Sequence, residues 1–155
     1  MMTPREVVRR TVCFERPDRL ARSFPEPFGN DFAGVGMSPS PDDRPSTGVD
    51  EWGAVWENIG VSRLGEVKEI PLKDWAEWDD LPKPDIRDPR RWEGLPGARE
   101  RAGDKFLLGH GISLYERAHF IRGLDNTWID IYEAPDELGC LLDLLVDMNL
   151  VAIER

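Results

Sequence analysis

From Glu26 to Asp104 the chain has almost no long periodic segment, yet this stretch carries most of the 13 prolines and five of the six tryptophans: Trp52, Trp56, Trp75, Trp78 and Trp92. A structureless loop of that length does not fit inside a small compact domain. The stretch is therefore expected to be a set of short turns and pieces folded over something larger, with the tryptophans as lids on a core. Within it, Asp50-Glu51-Trp52-Gly53 leads to Trp56, and Glu66 to Ile70 is an edge strand or hairpin arm closed by Pro71.

The flanks are more regular. Thr3-Pro4-Arg5-Glu6 is a capping box with proline at the first helical position, and Glu15-Arg16-Pro17-Asp18 stops the helix that follows. Arg19 to Phe24 is a candidate first strand, ended by Pro25 and Pro27. Gly34-Val35-Gly36 has no apparent strand before it and reads as a turn. Lys105 to Leu108 is a short apolar strand that runs into Gly109-His110-Gly111. Next, Ser113-Leu114-Tyr115-Glu116 is a second capping box opening a helix that stops at Gly123. Strand, glycine turn and capped helix make a βα unit. Asn126 caps a further helical turn. Pro135, Asp136 and Glu137 then open a last helix whose Leu138, Leu141, Leu142, Leu145, Met148, Asn149 and Ala152 form one broad face in want of a partner. That helix has no stop signal, so the chain is expected to continue into further strands.

With 30 acidic and 20 basic residues among 155, the net charge is −10. No cationic run is present for duplex DNA or an anionic membrane, so neither is expected as a partner. No stretch approaches the ~18 apolar residues of a membrane helix, and the N-terminus lacks a signal-peptide core, which makes a cytoplasmic protein the default. Cys13 and Cys140 lie far apart with no CxxC, and both read as small buried hydrophobes.

The run Gly103-Asp104-Lys105-Phe106-Leu107-Leu108-Gly109-His110-Gly111-Ile112-Ser113-Leu114-Tyr115-Glu116-Arg117-Ala118, continuing through Phe120-Ile121-Arg122-Gly123-Leu124-Asp125-Asn126, resembles the uroporphyrinogen decarboxylase superfamily. Thr3 to Glu6, Glu15 to Arg19, and Asp50-Glu51-Trp52-Gly53 to Trp56-Glu57 resemble it in the same order. The resemblance implies an α/β fold, the N-terminal part of a (β/α)8 TIM barrel. It divides residues 1–155 into a first helix and strand (1–24), a loop-rich segment (25–104) and a βα unit with helices (105–155). It further implies a tetrapyrrole-linked decarboxylase or a corrinoid-linked methyltransferase in the complete protein, with the chain alone inactive. A small-molecule substrate, a corrinoid protein as partner and a homo-oligomer belong to the same expectation. The family's decarboxylase carries an Arg-Gln-Ala-Gly-Arg segment after its first strand, and the resemblance puts Phe24 to Asn30 at that place. It holds a glutamate and no arginine, so decarboxylation of uroporphyrinogen itself is not expected. The methyltransferases hold zinc through His-x-Cys and a distant Cys, a pattern absent here, so no metal or cofactor is expected in this chain.

Five residues are candidates for substrate binding, and no catalytic residue is assigned. His110 follows the apolar strand at the end where barrel sites form, although it can equally satisfy a local carbonyl. Arg117 is placed to meet an acidic substrate, or to pair with Asp50 or Glu51. Asp50, Glu51 and Trp52 occupy a βα-loop position, where a surface acidic turn accounts for them almost as well. Glu116 is assigned to the capping box, and the Asp42-Asp43 and Asp79-Asp80 pairs to solvated loops. The competing reading is a non-catalytic assembly or binding module that buries its open sheet edge and the Leu138 to Ala152 face against a partner.

Overall fold

The computed structural model describes residues 1–39, 47–58, 60 and 65–155. The Asp42-Asp43 pair lies outside them. The chain is mixed α/β, with five α-helices, a two-stranded parallel sheet and a three-stranded antiparallel sheet. No closed barrel is formed among the described residues. The chain divides into two compact units, each assembled from two separate segments: Met1–Ser38 with Trp92–Gly111, and Pro39–Arg91 with Ile112–Arg155.

In the first unit, α1 (Pro4–Val12) starts where proline supplies the helical φ and the Thr3 hydroxyl accepts the Glu6 N–H. The box is only half closed, because the Glu6 carboxylate turns to Arg9 and Arg10 and is held at a pKa of about 2 by those two guanidinium groups. Val7 and Val8 form the buried face of α1. β1 (Phe32–Gly36) pairs in parallel with β5 (Phe106–His110), from Phe32 opposite Phe106 to Gly36 opposite His110. α1 and the short α2 (Ala98–Ala102) pack on this pair, and the Arg5 guanidinium and backbone N–H bond the carbonyls of Gly103 and Asp104.

Two expectations are corrected here. Residues 19–24 are not the first strand; only Ser23 makes an isolated antiparallel bridge, to Asn30. Gly34-Val35-Gly36 is strand and not turn, because cross-strand pairing with an apolar partner outweighs the low strand propensity of glycine. The Arg19 guanidinium instead clamps the buried Asp31 carboxylate at 2.6 Å on both oxygens, and Asp31 also accepts the Arg22 N–H. That clamp fixes the chain just ahead of β1.

The Arg19 hydrogen bonds hold the Asp31 carboxyl below its ordinary 3.8, the Arg22 N–H assisting and burial opposing. A carboxyl depressed in the folded state stabilises the fold above its unfolded pKa and loses that contribution as pH falls through the folded value. Asp31→Asn is therefore expected to flatten the decline of stability below about pH 4. Urea unfolding at a series of pH values for both proteins measures it, and parallel acid limbs would refute the assignment.

In the second unit, β2 (Gly48–Val49), β3 (Val55–Asn58) and β4 (Gly65–Glu69) form the antiparallel sheet in that order. The expected arm before Pro71 is β4. Helices α3 (Leu114–Arg122), α4 (Leu124–Glu133) and α5 (Pro135–Ile153) follow, and α5 packs against both α3 and α4. Leu138, Leu141, Leu145 and Met148 of α5 are buried, so the broad apolar face finds its partner inside the chain. Asn149, on that helix, spends its amide on Ile112, accepting from its N–H at 2.7 Å and donating to its carbonyl at 2.9 Å.

Three local expectations also change. Ser113 occupies the N-cap of α3 but makes no side-chain cap bond, so Glu116 completes no box. Asn126 lies inside α4 and donates to the Arg122 carbonyl, while Gly123, at φ +87°, both ends α3 and precedes α4. Cys13 and Cys140 are exposed rather than buried. Of the five tryptophans in the long segment, Trp52 and Trp92 are buried. Asp79 and Asp80 are exposed, and no described helix is long and apolar enough to cross a membrane.

Candidate functional site

Four of the five candidate residues come together in the second unit, around a turn that the local sequence dictates. Asp50 opens the turn and its Oδ1 accepts the N–H groups of Trp52 and Ala54, both at 2.9 Å. Gly53 sits at φ +88°, where a side chain would be strained and would press on Pro82 and Pro71. Aspartate folding back on its own backbone, with glycine three residues on, is an Asx-type turn. It is not a solvated surface turn, since Asp50 and Trp52 are both buried.

The other oxygen, Oδ2, accepts the Trp56 indole N–H at 2.9 Å and Arg117 Nη1 at 3.0 Å. Arg117 reaches Asp50 from α3, and its guanidinium lies over Trp52 at 5.6 Å and Phe120 at 5.5 Å. Trp56 meets Phe120 edge-on at 4.7 Å, which closes an aromatic collar round the ion pair. Of the partners expected for Arg117, the one it takes is Asp50. Among the described residues its Nη1 alone is hydrogen-bonded, so the rest of the fork is available at a partly exposed edge.

Glu51 points elsewhere, into a bidentate pair with Arg91 at 2.6 and 2.9 Å. The Arg91 side chain is buried, and its Nε has no partner among the described residues. Asp50, Glu51, Asp85, Asp88, Arg90 and Arg91 border an open cleft of about 480 Å³. Arg90 holds Asp88 below its ordinary pKa through side-chain hydrogen bonds. Asp50, Glu51 and Asp88 are therefore each engaged by a guanidinium. Arg91 was missed by the sequence reading, whose one available hint was a pair of arginines beside Trp92.

His110 belongs to the first unit, as the last residue of β5. Its exposed imidazole lies across the neighbouring strand, so that a Cβ on Gly34 would fall 2.7 Å from Nε2. Among the described residues this ring makes no hydrogen bond, which removes the reading that it satisfies a local carbonyl. A Cβ on Gly36 would fall 2.8 Å from the His110 carbonyl oxygen. The two glycines of β1 are thus the space in which His110 sits.

Gly36→Ala is expected to force the strands apart and cost about 1–3 kcal/mol in urea unfolding, because the obstacle is backbone. Gly34→Ala meets a movable ring and is expected to cost less while displacing the imidazole. Equal losses at the two positions would contradict this packing.

His119, the other histidine, lies on α3 in the second unit with its ring against Tyr115 at 3.8 Å and its buried Nε2 without a partner among the described residues. No three His, Cys, Asp or Glu side chains converge among the described residues as a metal would require. Comparison with protein-family models, with curated proteins and with solved structures finds no match.

Proposed function

We propose that this chain is the N-terminal part of a uroporphyrinogen decarboxylase-like (β/α)8 barrel, and that the complete protein acts on a tetrapyrrole-linked or one-carbon substrate as a decarboxylase or corrinoid-linked methyltransferase. The observation that carries the reading is the parallel β1–β5 pair, with His110 open and unbonded at its carboxyl end. Barrel sites are built from the carboxyl ends of adjacent parallel strands. β5 leads through Gly111-Ile112-Ser113 into α3, the strand–turn–helix order such a unit needs. An exposed imidazole there can donate a hydrogen bond to a substrate carboxylate.

The placement of β1 also moves the segment that bears on substrate choice. Phe24 to Asn30 precedes β1, so its lack of arginine says nothing about the loop after the first strand. That loop begins Met37-Ser38-Pro39 and continues through residues outside the described ones. Uroporphyrinogen therefore returns to the list of substrates to test.

Titration of the protein with uroporphyrin, coproporphyrin and hydroxocobalamin, followed by the Soret or cobalamin absorbance, tests the reading. Saturable binding of at least one, weakened tenfold or more by His110→Ala with unchanged thermal unfolding, is the expected result. Absence of saturable binding to all three, or binding indifferent to His110→Ala, would overturn it.

A further inference from the structure

Helix α4 is built inside out. Its buried positions include Thr127 and Asp130, at 5% and 4% exposure, while Leu124, Trp128, Ile131 and Tyr132 stand 44%, 52%, 53% and 88% exposed. Those four fall at i, i+4, i+7 and i+8, so they form one continuous stripe. The inward polar face is satisfied: Arg122 grips Asp130 with two hydrogen bonds, and the Thr127 hydroxyl donates to the Gly123 carbonyl. The outward apolar face stays exposed among the described residues. Tyr115 of α3 extends it, its hydroxyl accepting the Trp128 indole N–H at 2.8 Å. A stripe of large apolar and aromatic side chains at this exposure is the usual anchor of a protein interface.

Charge decides what fits it. From Gly123 to Glu154 the sequence holds eight carboxylates and no lysine, arginine or histidine. Asp125, Glu133 and Asp136, all exposed, flank or follow the stripe. A second copy meeting this face through a twofold axis would set that acidic border against itself, which is repulsive. An anionic membrane is repelled for the same reason. We infer that the Leu124–Trp128–Ile131–Tyr132 face is the docking site for a cationic amphipathic segment of a partner protein, apolar along one side and bordered by lysine or arginine. The inference does not depend on the enzymatic reading, since neither His110 nor the β1–β5 pair enters it.

The probes are a synthetic helical peptide of leucine and lysine and its leucine–glutamate counterpart with the same spacing. They are titrated into the protein by fluorescence anisotropy at low and high salt. The leucine–lysine peptide is expected to bind saturably at one per chain, more weakly at high salt, and at least tenfold more weakly to the double variant Trp128→Ser/Tyr132→Ser. Both substituted residues are exposed, so the variant is expected to unfold at the parent's temperature, and Tyr132→Ser alone serves if it does not. Binding unaffected by the substitutions would reduce the effect to general charge attraction and overturn the inference, as would equal binding of the glutamate peptide. A dimer in sedimentation that the same substitutions dissolve would also overturn it, by making a second copy the occupant.

Discussion

Replacing Arg122 is expected to destabilise the second unit by about 3–5 kcal/mol, because it leaves a buried carboxylate without its counter-charge. Arg122 and Asp130 are both buried. The Arg122 Nε donates to Asp130 Oδ2 at 2.7 Å, and Nη2 to Oδ1 at 3.3 Å. Nη1 donates to the carbonyls of Leu72 and Lys73, and the guanidinium lies 4.9 Å from the Trp75 ring centre. One side chain therefore ties the end of α3 to α4 and to the strand-to-turn segment around Leu72, whose N–H in turn bonds the Ile121 carbonyl. Lysine cannot replace it, since three donors at one point do not span a carboxylate and two carbonyls. The double variant Arg122→Met/Asp130→Leu is expected to be more stable than Arg122→Met, as removal of both charges also removes the unpaired one. Urea unfolding of the parent, Arg122→Met, Asp130→Leu and the double variant measures the cycle. A double variant no better than the single would show that the Leu72 and Lys73 carbonyls, and not the ion pair, carry the effect.

Asp50→Ala is expected to cost a similar amount, about 3–5 kcal/mol, for a different balance of reasons. The substitution orphans two backbone donors of the turn, the Trp56 indole and the Arg117 guanidinium together. Asp50→Asn separates these contributions. Its amide oxygen can still accept the Trp52 and Ala54 N–H groups, but its NH₂ would face two donors, with an expected loss of about 1.5–3 kcal/mol. Thermal unfolding, together with the tryptophan emission of the Trp52–Trp56 collar, reads both. An asparagine variant as damaged as alanine would mean that the charge on Oδ2, and not the turn, is what the site needs.

How much of this was legible in the sequence depended on whether the signal was local. Pro4 and Pro135 marked helix starts because proline at the first turn acts through its own φ, and Gly123 marked an end because a left-handed φ is a property of one residue. β1 was misplaced because the glycines on either side of Val35 mask its strand propensity. Only its partner, about 70 residues on, and the His110 ring that needs the glycines' empty space make it a strand. Arg117 and Asp50 were named in advance as a possible pair, but Arg122–Asp130, Arg91–Glu51 and Arg19–Asp31 were not. In a chain with 50 charged residues, nothing in a carboxylate's neighbours along the chain says whether it will be buried. The stripe on α4 is hidden for a related reason: a further helical turn after Asn126 is legible, but not which of its faces is buried. The ion pair at Asp130 decides it, by turning the polar side inward.

Because the two units are interleaved along the chain, no single cut in the gene separates them, and deleting either terminal segment leaves the remaining segment of the same unit without its complement. The same interleaving sets a timetable during synthesis. At ~5–20 residues per second, β1 leaves the ribosome roughly 4–14 s before the strand that pairs with it. Throughout that interval the nascent chain carries a strand with both edges open, and a slower codon run upstream of Phe106 would lengthen its exposure to other chains.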